Sequence, residues 1–157
     1  QTLGGIVADV AGLRTRPGVE DSIARDVPLA RQRGFEDYEE HIRVMADLST
    51  RQQVKMLMTA IGYDTGANNS AIDVVAPWKA GDLDLLYRDV TMGIGKPGSE
   101  LYDALITKRN KRWLGQITKL LKTDKDGMVI VGIAHFLGPN GLVSLLEKRG
   151  LRVERIQ

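Results

Sequence analysis

Apolar residues along this chain recur mostly at three- and four-residue intervals, the spacing that lines them up on one side of an α-helix. In residues 1–13 the stripe is Leu3, Ile6, Val7, Val10 and Leu13, with Gly12 near the end of the expected helix. Pro17-Gly18 breaks the pattern. Residues 19–25 then predict a short helix with Glu20 and Asp21 at its positive N-terminal pole. Around Pro28 the pattern fits extended chain as well as a second short turn. Phe35, Tyr38, Ile42, Met45 and Ala46 share one side of a predicted helix over 35–47. Ser49 and Gln52 have the spacing of a capping box, and the helix they open carries Val54, Leu57, Met58 and Ile61. A polar Gly/Asn-rich loop at 63–70 leads to a helical 71–75 that should stop near Pro77.

Leu83, Leu86, Tyr87 and Val90 predict a helix over 82–90, followed by a loop at 91–98 rich in glycine. Residues 100–106 and 111–122 read as helices nearly continuous through Arg109, and 124–127 as a turn. Met128 to Ile133 is a short unbroken apolar run after that turn, the pattern of a buried strand. Pro139 stands at the start of a helix that runs to Lys148 and is capped by Gly150. Residues 151–156 alternate Leu and Val with charges, as a half-buried strand does. The fold class this predicts is α/β of the α+β kind: a helix-rich middle, a small mixed sheet and a strand–helix–strand ending. A buried strand needs partners on both edges, and the chain supplies too few, so the sheet is expected to be incomplete.

Length and composition narrow the picture. A chain of 157 residues that is 43% hydrophobic can bury one core, so residues 1–157 are expected to form a single domain. Aromatics make up only 5%, which leaves the packing mainly to aliphatic side chains. A net charge of +2 is too small to imply a polyanion, and no nucleic-acid partner is expected. With no cysteine, disulfides, thiolate metal sites and a cysteine nucleophile are excluded. No apolar run reaches the roughly 18 to 20 residues of a membrane helix, so no transmembrane segment is predicted. The start at Gln1, within an apolar, small-residue stretch, suggests a processed or truncated N-terminus, so the lack of a signal peptide argues only weakly against export.

Taken one at a time, the polar residues invite plain structural roles. His135 ends the predicted strand and could simply hydrogen-bond to backbone. Glu36 suits the first turn of a helix, where the dipole favours an acid. Arg109 belongs to a cationic run with Lys108, Lys111 and Arg112 that reads as a solvated face. Asp37 and His41, four apart, could form a surface ion pair. Trp78 and Trp113 read as core or core-edge aromatics. Gly93, Gly95 and Gly98 are followed by no Gly-Lys-Ser/Thr, so they make no phosphate loop.

In sequence order, the same residues carry a resemblance. Residues 128–153, MVIVGIAHFLGPNGLVSLLEKRGLRV, resemble the C-terminal signature of TraB/GumN-type proteins, a family related to the Tiki metalloproteases. Gly132 to His135 is its Gly-x-x-His motif, and Arg149-Gly150 its helix stop. Arg109-Asn110 resembles the family's Arg-Asn pair inside a helix, and Trp78, Gly81 and Asp82 its Trp-x-x-Gly-Asp element. Gly34-Phe35-Glu36, a helix, and Ala46-Asp47-Leu48-Ser49 resemble its glutamate-bearing segment. An earlier Gly-x-x-His motif of the family is lacking: the histidines are His41 and His135, and no glycine stands three residues before His41.

The resemblance implies a metal-dependent hydrolase of peptide bonds, in which paired Gly-x-x-His motifs and a glutamate hold a divalent ion (Mn, Co or Zn). His135 would be a metal ligand, Glu36 a ligand or general base, and Arg109 a stabiliser of the developing oxyanion. With one motif lacking, the chain is expected to be a truncated form, inactive alone. A peptide or protein substrate, a periplasmic or cell-envelope location in a bacterium and possible homo-oligomers complete the expectation. The rival class is a non-enzymatic accessory protein that keeps the fold and is linked to envelope polysaccharide. The two readings part on whether Glu36, Arg109 and His135 meet in one cleft.

Overall fold

The computed structural model describes residues 18–60, 74–123 and 126–156. The helix expected at 1–13, the loop at 63–70 and the start of the 71–75 helix lie outside them. The first helix, α1 (Val19–Ala24), leads into a 3-10 turn at Leu29–Arg31, entered from Pro28. Helix α2 (Tyr38–Ala46) starts from Asp37, whose carboxylate accepts from the Glu40 N–H while Glu40 reaches back to the Asp37 N–H. This reciprocal cap pairs two of the donors that a helix start leaves open. Helix α3 (Thr50–Ala60) follows Ser49, whose hydroxyl donates to Glu100 Oε2 at 2.8 Å and so ties the helix to a residue 51 positions away.

Helix α4 (Val75–Ala80) contains Pro77 instead of stopping there. Pro77 falls in the first turn, where no backbone N–H is needed. The helix ends at Gly81 (φ 66°), with the Asp82 N–H returning to Pro77 O and the Gly81 N–H to Trp78 O. That is the bond pattern of a left-handed stop. Asp82 at once caps α5 (Leu83–Ile94), accepting from the Leu85 N–H at 3.0 Å. The Trp-x-x-Gly-Asp element is thus a stop and a start in consecutive residues. Helix α5 continues through Thr91 and Gly93 into the expected loop and ends at Gly95.

Helix α6 (Glu100–Tyr102) passes into a π-helical turn, Asp103–Thr107, and then into α7 (Lys108–Leu120). Backbone angles stay helical at both junctions, so this is one rod with a widened turn just before Arg109. A second 3-10 turn, Ile133–His135, precedes α8 (Leu142–Glu147). Gly150 (φ 79°) ends α8, with its N–H on Glu147 O and the Leu151 N–H on Leu146 O.

The predicted mixed sheet is overturned: the described residues are mostly helical and contain no strand. Residues 128–132 and 151–156 form no strand, because a strand is defined by ladder hydrogen bonds to a neighbour and neither segment makes them among the described residues. The apolar run is apolar for another reason. Val129 and Val131 pack on the core formed by Trp113, Ile117 and Leu142, together with Phe35, Phe136 and Leu146. Burial against helices demands the same residues as burial in a sheet. Trp113 is buried, as expected; Trp78 is 57% exposed and is no part of the core.

Candidate functional site

Helix α7 organises the site because Arg109, Arg112 and Trp113 are spaced three and four apart and share one helical face. Facing them is the segment before α2, which carries Phe35 and Glu36, and above them the turn that carries His135. Arg109, Trp113, Phe35, Glu36 and His135 line a cavity of about 520 Å³ whose wall also includes Asp37, Tyr38, His41, Val131 and Gly132. The three residues singled out by the resemblance, Glu36, Arg109 and His135, therefore stand on one hollow. They are 73 and 26 positions apart along the chain and in direct contact.

Glu36 is the centre of charge. Arg109 Nε donates to its Oε1 and Oε2 at 3.1 and 3.0 Å, and Arg109 Nη2 lies 2.9 Å from Oε2. Arg112 Nη2 donates to Oε1 at 2.7 Å. The Glu36 side chain is only 6% exposed, against 14% for Arg109 and 47% for Arg112. Burial pushes its carboxyl upward, but hydrogen bonds and charges from the two arginines outweigh this and hold it below the usual carboxylate range. The Arg109 guanidinium also lies over the Trp113 ring, 4.7 Å from the centroid, and its Nη1 is 3.5 Å from His135 Nε2. Trp113 is in turn stacked on Phe35, with centroids 5.6 Å apart.

His135 is buried against Trp113 at 4.4 Å between ring centroids. Burial strips water from it and the Arg109 charge opposes protonation; Glu36 acts the other way but less, and the pKa is lowered to about 4. The imidazole is neutral at pH 7. Behind it lies Asn110, fully buried, within hydrogen-bond distance of His135 Nδ1 at 2.8 Å.

Asp37 and His41 make no ion pair; Asp37 caps α2 and both residues line the cavity. Arg112, expected as solvated charge, is a second partner of Glu36. Its three-residue spacing from Arg109 was the available signal. Asn110 was visible as half of the Arg-Asn pair, but nothing in the sequence showed what its amide would meet.

A divalent ion in a catalytic site normally takes three protein ligands. Among the described residues no group of three or more His, Cys, Asp or Glu side chains is placed to hold a metal. His135 Nε2 is the nitrogen that faces the cavity, whereas both Glu36 oxygens are engaged by guanidinium groups. The described residues therefore do not, by themselves, fit a bound divalent ion.

Fold and site define a helical protein in which the buried Glu36–Arg109 pair and a neutral histidine line one cavity. A model of the TraB/PrgY/gumN family matches residues 18–155, nearly the whole chain, and the chain belongs to that family. No curated protein and no solved structure matches it.

Proposed function

We infer that the cavity is one wall of a metal-dependent hydrolase site acting on peptide bonds. The observation that carries this reading is the meeting of Arg109 with a neutral His135 on one hollow. A desolvated guanidinium is suited to stabilise the negative charge that develops on a carbonyl oxygen as an amide is attacked. Glu36 holds Arg109 by a forked pair and keeps it oriented. That engagement, with its lowered pKa, makes Glu36 a poor general base. A histidine with a pKa of about 4 is likewise a weak base at neutral pH but a good ligand, since a metal needs the unprotonated ring. On this reading His135 would be a ligand to a Mn, Co or Zn ion, and the chain by itself is expected to be inactive. A periplasmic or cell-envelope location, with a peptide or protein substrate there, belongs to the same reading.

The engagement of both Glu36 oxygens favours a second reading, an accessory protein linked to envelope polysaccharide in which the ion pair is structural. One assay separates the two. Fluorogenic-peptide cleavage is measured with Mn²⁺, Co²⁺ or Zn²⁺ for the natural polypeptide carrying this sequence and for its Arg109→Met and His135→Ala variants. Hydrolysis that needs the metal and falls by about 100-fold or more in each variant is the expected result. No cleavage with any of the three ions, or cleavage indifferent to both substitutions, leaves the accessory reading.

A further inference from the structure

Asn110 sits one residue beyond Arg109 on α7 and is 0% exposed. Its Nδ2 group donates to His135 O at 3.0 Å and to Asn140 O at 2.8 Å. An amide nitrogen has two hydrogens, so both are used. Turning the amide over would place its oxygen against two carbonyl oxygens, and the orientation is therefore determined by the network. The remaining atom, Oδ1, can only accept, and it lies 2.8 Å from His135 Nδ1. The neutral imidazole must then carry its hydrogen on Nδ1. Its lone pair is left on Nε2, on the side of Arg109 and the cavity.

The acceptors that hold the amide are themselves held. Asn140 Nδ2 donates to Thr107 Oγ1 at 3.0 Å, and Thr107 Oγ1 donates to Asp103 Oδ1 at 2.8 Å. Asp103 also takes the Gly98 N–H at 3.2 Å. Asp103 and Thr107 are the two ends of the π-helical turn, so the widened turn and the loop before α8 are fastened to each other beside the histidine.

We propose that Asn110 is a positioning residue that presents His135 as the Nδ1–H tautomer, with the Nε2 lone pair toward the cavity. This deepens the reading of the cavity as a hydrolytic site, because a histidine that serves through Nε2 needs its other nitrogen committed to a hydrogen bond. Asn110 acts only through His135.

The tautomer is read directly from long-range ¹H–¹⁵N correlation spectra of the imidazoles at pH 7.5, without metal or substrate. The chain has two histidines, and His41 serves as the internal comparison. The natural protein is expected to show a pyrrole-type Nδ1 and a pyridine-type Nε2 for His135. Asn110→Ala is expected to lose that pattern, giving a mixture or the Nε2–H form. If the alanine variant does not fold, the natural protein's own spectrum remains decisive, because an Nε2–H or mixed pattern there is incompatible with Asn110 Oδ1 accepting from His135 Nδ1. An Nε2–H or mixed pattern in the natural protein overturns the proposal, as does an Nδ1–H pattern that survives in Asn110→Ala. Because the spectra need no turnover, this result stands apart from whether the cavity hydrolyses peptides.

Discussion

At the scale of single residues, His135 couples the site to the stability of the chain. Its ordinary pKa is 6.5 and in the folded protein it falls to about 4, chiefly through burial and the Arg109 charge. Between those values the unfolded chain binds a proton that the folded chain refuses, so stability rises with pH across that window. The contribution is whole above pH 6.5 and is lost as pH falls toward 4; it amounts to at most about 3 kcal/mol. Glu36 acts in the same direction, because its carboxyl lies below the usual range and the ion pair weakens on protonation. Asp37, Tyr38, His41 and Arg109 are the other charged or titratable groups on the cavity wall. Urea unfolding in the presence of a chelator, run from pH 7.5 to 4.5, is expected to show a steep loss of stability. In His135→Gln the loss should be shallower, and parallel curves would mean that the ring is not held neutral. Much of this residue-level picture was legible through the ordered motifs that include Glu36, Arg109 and His135. Spacing alone also put Arg109, Arg112 and Trp113 on one face. No local pattern could show that Glu36 would meet them, since that contact joins positions 73 apart.

Elements were legible where their signals are local, and illegible where a neighbour decides. Gly150, expected as a helix stop, acts within a turn of itself; Asp37, Gly81 and Asp82 act as locally, though no cap was expected at them. The runs at 128–133 and 151–156 were read as strands because burial and alternation are shared by any extended segment packed on a core. Only a ladder partner would have made them strands. The loop between the His135 turn and α8 offers a sharper test of what packing requires. Gly138 has φ 71°, and a Cβ there would lie 2.2 Å from the Tyr87 ring of α5. Gly138→Ala should cost about 2–4 kcal/mol, since backbone strain and overpacking add. Gly132, just before the His135 turn, has φ −58°, and a Cβ there would meet nothing within 4 Å among the described residues. Gly132→Ala should therefore melt within a degree or two of the natural protein, at roughly equal stability. Comparable losses at both positions in thermal melts would contradict the packing described here.

For the whole molecule, Trp113 links core to cavity. It belongs to the cluster with Ile117 and Leu142, and Phe35, Arg109 and His135 all pack against it. Trp113→Ala is expected to cost about 3–5 kcal/mol, as large-to-small core changes do. The half-exposed Trp78, replaced in the same way, should cost less than about 1 kcal/mol. Urea midpoints of the two variants check this, and similar midpoints would remove Trp113 from the centre of the fold. The chain's own order of residues determined the positions of most described helices, several of their caps, and membership of the TraB/PrgY/gumN family. These depend on spacing over a few residues, or on motifs in a row. Tertiary structure alone decided that the apolar run at 128–132 would lie on helices with no sheet, and that Arg112 and Asn110 would join the cluster. Such outcomes turn on which distant partner supplies a hydrogen bond or fills a volume, and a one-dimensional pattern records the need for a partner without naming it.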